Sequence, residues 1–151
     1  MSRHSRRDIL RQAGAVAAVA GCGLLAGRNA LAANPPGFEA KTLDAAMKSL
    51  GGAATESKDI TITSPDIAEN GAVVPITVSS NLPQTQEIYI FVEKNPFPLT
   101  ASFTIPEGTD PYVSTRVKMG ESTNVHAVVK AGGKLYTTFK ETKVTLGGCG
   151  G

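Results

Sequence analysis

An alternation of apolar and polar residues with a period of two runs through the chain from residue 60 to residue 146. Successive side chains of a β-strand point to opposite faces of a sheet, so this pattern is typical of strands that bury one face. Turn signals such as Asn70-Gly71 and Gly132-Gly133 separate about seven such segments. The sequence therefore predicts an all-β fold, namely an immunoglobulin-like antiparallel β-sandwich of about seven strands.

Three segments carry additional information about where a strand lies in a sheet or where a loop interrupts the strands. The run Ile88–Val92 is apolar throughout, which is typical of a strand at the centre of a sheet. Pro75 lies within the strand segment 73–78, and because proline has no N–H, it predicts an edge strand or a bulge there. The segment Asn95-Pro96-Phe97-Pro98 predicts a loop, either a simple connection between strands or a contact for a partner.

A short helix is expected before the strands. Gly51-Gly52 stands where the end of a helix favours a left-handed residue. We therefore expect an amphipathic helix over Glu39–Leu50. Its apolar positions follow the spacing i, i+3, i+4 and i+7, at Leu43, Ala46, Met47 and Leu50.

Residues 1–32 have the features of an export signal. The paired arginines Arg6 and Arg7 precede an apolar stretch from Ala13 to Ala26, and Ala30-Leu31-Ala32 follows as a cleavage site. The apolar stretch is shorter than the ~20 residues of a spanning helix, so we expect no stable membrane insertion. The pattern predicts export to the periplasm by the twin-arginine route.

A second interpretation of the same segment stays open. The residues Val19-Ala20-Gly21-Cys22 resemble a lipoprotein signal, in which Cys22 would be lipidated and retained. Against it, the apolar run continues to Ala26 and a cleavage site follows.

The remainder of the chain, from residue 33 onward, excludes several classes of function. The whole chain has 15 lysines and arginines against 13 acids, and five arginines but only one acid lie in residues 1–32. The rest is slightly acidic, so no basic patch argues for nucleic acid or an anionic membrane. Its histidine is His126 and its cysteine is Cys149, too few ligands for a copper or zinc site. We expect no metal and no cofactor.

The end of the chain places its cysteine in an unusual setting. Cys149 lies within Gly147-Gly148-Cys149-Gly150-Gly151, which we call the carrier arm. Glycine leaves the backbone slender, and Cys149 could stand about 10 Å beyond residue 146. No cation lies closer in the sequence than Lys143, so the thiol should be a modest nucleophile. The sequence thus predicts a covalent carrier rather than an enzyme, with a signal (1–32), a β-sandwich domain (33–146) and an arm (147–151).

Three other interpretations of Cys149 remain. The tail could be a frayed terminus, since chain ends are often glycine-rich. The cysteine could join two structural β-sandwich modules through an intermolecular disulfide. It could also act as the nucleophile of a thiol enzyme with His126 as its base.

The chain resembles the SoxY family, the sulfur-carrying subunits of SoxYZ complexes in thiosulfate oxidation. The resemblance spans essentially the whole chain. It rests on the twin-arginine signal, the segment Ser64–Pro75, the loop Lys94–Pro98 and the arm Gly147–Gly151.

The resemblance implies a role for Cys149 and a set of partners. Cys149 would hold thiosulfate-derived sulfur, loaded by a SoxAX-type haem c protein and freed of sulfate by a SoxB-type dimanganese hydrolase. A SoxCD-type dehydrogenase is a further candidate partner. A SoxZ-like subunit would share the fold, and folding with it before export would explain a twin-arginine signal on a chain without a cofactor. The fate of the sulfane sulfur, and a heterodimer against a heterotetramer, are left open.

Overall fold

In the computed structural model, which describes residues 37–145, two β-sheets face each other and a short helix covers the outer side of the larger one. The helix and strands of this part of the chain are α1 (Leu43–Lys48), β1 (Ala54–Glu56), β2 (Ile60–Thr63), β3 (Ile67–Ala68), β4 (Val74–Ser80), β5 (Thr85–Val92), β6 (Leu99–Thr104), β7 (Tyr112–Val117), β8 (Thr123–Ala131) and β9 (Lys134–Val144).

The larger sheet has the strand order β1-β9-β8-β5-β6, and β3 also pairs with β9. The smaller sheet has the order β2-β4-β7. Strand β2 and strands β4 to β9 form antiparallel pairs with one another, whereas β1 and β3 run parallel to β9. The predicted immunoglobulin-like β-sandwich is confirmed. The two parallel strands add to the seven predicted ones because, at three and two residues, they are too short to show an alternation.

The main core lies between the two sheets and is built from every second residue of their strands. Strand β4 shows the pattern clearly, because Val74, Ile76 and Val78 are fully buried while the intervening residues are more exposed. Each such aliphatic side chain stabilises the fold by about 1.5–3 kcal/mol relative to an exposed one. The larger sheet contributes Ile88, Ile90, Val92, Val125, Ala127, Val129 and Ala131 to this core.

Strand β5 is buried on both faces. Ile88 and Ile90 face the smaller sheet, whereas Tyr89 and Phe91 face the helix side and pack in a second cluster with Ala46 of α1. The strand lies between β8 and β6. This arrangement confirms the prediction of a central strand from the apolar run. Because both faces of residues 88–92 are covered, apolar side chains are favoured at every one of these positions.

Helix α1 is shorter than the predicted helix over Glu39–Leu50. Thr42 has extended backbone angles and caps the helix, since its Oγ1 accepts a hydrogen bond from the Ala45 N–H at 3.3 Å. The residues before Thr42 therefore lie outside the helix. At the other end Gly51 has a φ of 94°, which confirms the expected left-handed residue.

Pro75 does not lie on an edge strand, so that prediction is wrong for the strand as a whole. Strand β4 is the central strand of the smaller sheet. However, β4 pairs with β2 only from Thr77 to Ser80, whereas it pairs with β7 from Val74 onward. At Pro75 the strand thus has a neighbour on one side only, which is the local condition that proline requires.

No helix among residues 37–145 is long and apolar enough to cross a membrane.

Candidate functional site

The part of the fold that bears on the carrier arm is the end of β9. This strand is the longest of the described residues and ends at Val144, with Thr145 the last residue described. The arm residues Gly147, Gly148, Cys149, Gly150 and Gly151 lie outside the described residues, as do Arg6, Arg7 and Cys22 of the predicted signal. The predictions made for them stay predictions, and the structure defines the base from which the arm leaves.

On one side, β3 holds the end of β9. Ile67 lies opposite Lys143 and Ala68 lies opposite Val144 in the parallel pairing. The Lys143 N–H donates to the Asp66 carbonyl at 3.0 Å, and the Thr145 N–H donates to the Ala68 carbonyl at 3.1 Å. The backbone of β9 is thus hydrogen-bonded up to the last described residue.

On the other side, a single serine side chain takes the place of a neighbouring strand. The Val144 N–H donates to Ser122 Oγ at 2.8 Å, and Ser122 Oγ lies 3.4 Å from the Val144 carbonyl oxygen, to which it donates. Ser122 immediately precedes β8, whose pairing with β9 extends from Thr123 opposite Thr142. The end of β9 is therefore held from both sides, because Lys143 and Thr145 bond to the β3 segment and Val144 bonds to Ser122.

Side chains further along β9 fasten the segment that leads into β3. Lys140 Nζ donates to the Ser64 carbonyl at 2.7 Å and forms an ion pair with Asp66 Oδ1 at 3.0 Å. The hydroxyls of Ser64 and Thr142 are buried and lie 2.8 Å apart. The ion pair is exposed and contributes little, whereas the buried hydroxyl pair fixes the position of the segment.

The loop at residues 118–122 joins two further segments to this end of the sandwich. Asn95 Nδ2 donates to the Lys118 carbonyl at 2.8 Å, and the Gly120 N–H donates to Asn95 Oδ1 at 3.5 Å. The N–H of the fully buried Met119 donates to the Gly71 carbonyl at 2.7 Å. The segment 64–75, the loop 94–98 and the end of β9 thus meet at one end of the fold, which we call the root end.

The loop 94–98 was predicted with two interpretations. It does connect β5 to β6, and the Val92 N–H donates to the Pro98 carbonyl at 2.8 Å across its base. Sequence reasoning missed both the amide contacts of Asn95 and the role of Ser122. Asn95 before a proline carried a turn signal, but Ser122 had no distinguishing neighbour in the sequence.

Beside the root end, His126 belongs to a polar cluster on the outer face of the larger sheet. Glu93 Oε2 accepts a hydrogen bond from Asn124 Nδ2 at 2.9 Å and lies 3.3 Å from His126 Nε2. The bond from Asn124 and then that from His126 lower the pKa of the Glu93 carboxyl. The ring of His126 packs against the ring of Phe139, with centroids 5.5 Å apart.

The separation along β9 disfavours His126 as a base for Cys149. His126 lies opposite Phe139, which is about 20 Å from Thr145 along the strand at roughly 3.3 Å per residue. Cys149 follows Thr145 by four residues, which span at most about 14 Å. The arm backbone cannot draw level with His126, and the imidazole already has a carboxylate partner.

The described residues hold no metal site, and the groove described next lies at the opposite end of β9 from the arm. Within residues 37–145, no group of three or more His, Cys, Asp or Glu side chains could hold a metal ion. An open groove of about 800 Å³ is lined by Leu50, Lys130 and Lys134. Lys134 begins the 11-residue strand β9 whose other end is the root end, so the arm cannot reach this groove.

Comparison with known protein families gives the relationship of the chain. A family model described as sulfur oxidation protein SoxY matches residues 46–149, a span that contains the nine strands of the described residues and ends at Cys149. The chain belongs to the SoxY family. The family resemblance drawn from the sequence motifs is thereby confirmed.

Solved structures agree with membership of the SoxY family. The sulfur carrier protein SoxY from Chlorobium limicola f thiosulfatophilum is 43% identical, with a TM-score of 0.63, over 70% of this chain and 97% of that chain. A variant of superoxide reductase (neelaredoxin) from Ignicoccus hospitalis is 21% identical, with a TM-score of 0.50, over 64% of this chain and 86% of that chain. At that identity the likeness shows the fold alone. No protein with a curated description matches the chain.

Proposed function

We propose that this SoxY-family protein is a periplasmic sulfur carrier that holds thiosulfate-derived sulfur covalently on Cys149 and presents it to partner enzymes. The observation that supports the proposal is the contrast at the end of β9. Residues 143–145 are hydrogen-bonded to the β3 segment on one side and to Ser122 on the other, and the glycine arm with Cys149 begins at Gly147. A fixed base followed by a slender tether is the form that a carrier needs.

The chemistry assigned to Cys149 balances in two steps. In the first, its thiol and thiosulfate form a cysteine–sulfur bond with loss of one proton and two electrons, which a SoxAX-type haem c protein accepts. In the second, water attacks the terminal sulfonate on a SoxB-type dimanganese hydrolase, which releases sulfate and leaves a persulfide on Cys149. A SoxCD-type dehydrogenase is the candidate for oxidising that remaining sulfur. Each step takes place in the partner's active site, so the carrier needs only an accessible sulfur.

The proposed assembly partner is a SoxZ-like subunit. Membership of the SoxY family supports a Sox system with such a subunit. Folding with SoxZ before export would account for the twin-arginine signal at Arg6 and Arg7. Cleavage after Ala32 would leave Cys149 as the cysteine of the mature chain, whereas lipidation at Cys22 would tether the carrier to a membrane.

The test is intact-mass analysis of the protein isolated from its own cells during growth on thiosulfate. We expect mass adducts that map to Cys149 and disappear on treatment with reductant, and we expect none in a Cys149→Ser variant. Unmodified thiol throughout thiosulfate oxidation would contradict the proposal. A non-reducing gel with nearly complete disulfide-linked dimer would instead favour the structural module joined through Cys149. Turnover by the isolated protein that is lost in His126→Ala would favour the thiol enzyme.

A further inference from the structure

Large apolar side chains that are exposed gather at the root end. Among residues 37–145, five large hydrophobic side chains are exposed, and three of them belong to the two segments that meet at the end of β9. Their exposed fractions are 59% for Ile67, 53% for Val73 and 51% for Phe97. Single exposed apolar residues are ordinary, but a group of them on one surface marks an interaction site.

The hydrogen bonds described above place these three residues around the base of the arm. Ile67 lies in β3, directly opposite Lys143 near the end of β9. Val73 ends the turn that begins at Asn70. Gly71, within the same turn, accepts a hydrogen bond from the Met119 N–H through its carbonyl oxygen. Phe97 lies in the loop whose Asn95 binds the Lys118 carbonyl. We call Ile67, Val73 and Phe97 the root patch.

The length of the arm restricts where a partner can sit. Cys149 reaches at most about 14 Å beyond Thr145, because four extended residues span no more than that. An enzyme whose active site is below its own surface must therefore bring that surface against the root end before Cys149 can enter. The root patch is the apolar surface that it meets there.

We propose that the root patch is the docking surface for the enzymes that act on sulfur bound to Cys149. This inference rests on the proposed carrier function and adds to it the place where the partner binds. The partner face that fits is an apolar rim around a channel entrance, with charges of both signs further out. The exposed ion pairs Lys94–Glu121 and Lys140–Asp66 flank the patch and offer both signs.

The test measures sulfate release from thiosulfate-loaded protein by the SoxB-type hydrolase as the carrier concentration is varied. The variants are Ile67→Ser, Val73→Ser and Phe97→Ser. The matched control is Tyr112→Ser, whose parent side chain is 60% exposed but lies away from the root end. Tyr112 begins β7, the strand whose far end leads into the loop 118–122.

We expect each root-patch variant to raise the KM of the hydrolase for the loaded carrier about tenfold, with kcat unchanged, because docking weakens while the chemistry does not. The control should leave both constants as in the parent protein. Alkylation of Cys149 by a small reagent should proceed at the parent rate in all four variants. This measurement, together with thermal unfolding, separates lost docking from a disturbed fold.

Several results would overturn the docking inference. An unchanged KM in the three root-patch variants, or an equal rise in the Tyr112→Ser control, would show that the patch is not the enzyme's docking surface. Loss of association with a SoxZ-like subunit, seen by native mass, would assign the patch to the subunit interface. Loss of a self-associated form would assign it to a second copy of the chain. Failure of the carrier function itself is seen earlier, as absence of an adduct on Cys149 in the parent protein.

Discussion

Two threonines on neighbouring strands place their hydroxyls in different surroundings. Thr142 and Thr123 lie opposite each other in the β8–β9 pair, and both are buried. Thr142 Oγ1 is hydrogen-bonded to Ser64 Oγ, whereas Thr123 Oγ1 has no hydrogen-bond partner among the described residues. The same substitution at these two positions therefore separates the contribution of the hydrogen bond from that of the side-chain shape.

We predict that Thr142→Val lowers the free energy of unfolding by about 1–3 kcal/mol, because it leaves Ser64 Oγ buried without its partner. Thr123→Val should change that free energy little or raise it, since it removes a hydroxyl that makes no hydrogen bond. Urea unfolding of both variants measures the difference. Equal losses in the two variants would show that the Ser64–Thr142 pair does not stabilise the fold.

At the scale of the element, β9 is the structure on which the arm depends. Its last residues lie in the parallel pairing with β3 on one side and against the Ser122 side chain on the other. The parallel pair is only two residues long, so Ser122 supplies a large part of what holds Val144. The end of β9 before the arm is thus held by a contact between residues 22 positions apart in the sequence.

We predict that Ser122→Ala lengthens the free tether by releasing Val144 from one side. A nitroxide attached to Cys149 of the mature chain should show faster motion by electron paramagnetic resonance in this variant than in the parent. The loss of one hydrogen bond should also lower the free energy of unfolding by about 1 kcal/mol.

The matched control for the tether is Ser114→Ala, which removes a different serine hydroxyl, one bonded to Thr77 Oγ1 in the smaller sheet. The control should leave the motion of the label as in the parent. Identical spectra for Ser122→Ala and Ser114→Ala would mean that β3 alone sets the base of the arm.

At the scale of the molecule, three layers are stacked, with the larger sheet between α1 and the smaller sheet. Tyr89 lies under the helix side of that sheet and is 6% exposed, and its hydroxyl donates to Glu87 Oε2. Burial, followed by the hydrogen bond to Glu87, raises the pKa of Tyr89 above its ordinary value of 10.0. This links the stability of the layered fold to alkaline pH.

We predict a loss of stability as the pH rises above 10.0, because the unfolded chain then releases the Tyr89 proton while the folded chain keeps it. The stabilisation is fully present below that pH, and the loss from this residue is at most about 1.4 kcal/mol per pH unit. Urea unfolding between pH 9 and pH 11, with Tyr89→Phe as the variant, should show a shallower loss than the parent. Tyr112→Phe, at an exposed position, should retain the parent's slope. Equal slopes for Tyr89→Phe and the parent would contradict the assignment.

Much of the fold could be predicted because it follows from local patterns. Local patterns indicate which faces of a strand are buried, as in the alternation of β4 and β8 and the apolar run of β5. The turn glycines Gly51, Gly132 and Gly133 likewise adopt positive φ. The helix was predicted too long because the cap at Thr42 competes with helical spacing, and spacing alone does not show which prevails.

The candidate site could be predicted only in part. Cys149 and its glycines are recognisable from the sequence because they need no tertiary structure to be distinctive. The root patch and Ser122 were missed, since an exposed Ile67 or Val73 in a strand segment has the same local pattern as a buried one.

By itself, the sequence determined the class of fold and the central position of β5, and it predicts that the glycine arm tethers Cys149. Only the tertiary structure decided that β3 runs parallel to β9, that Pro75 lies in a central strand, and that the loops 94–98 and 118–122 meet beside Val144. The physical reason is range. Periodicity reports the surroundings of each residue along its own strand, whereas the hydrogen bonds at the root end join residues 22 to 78 positions apart, and no local pattern encodes such a pairing.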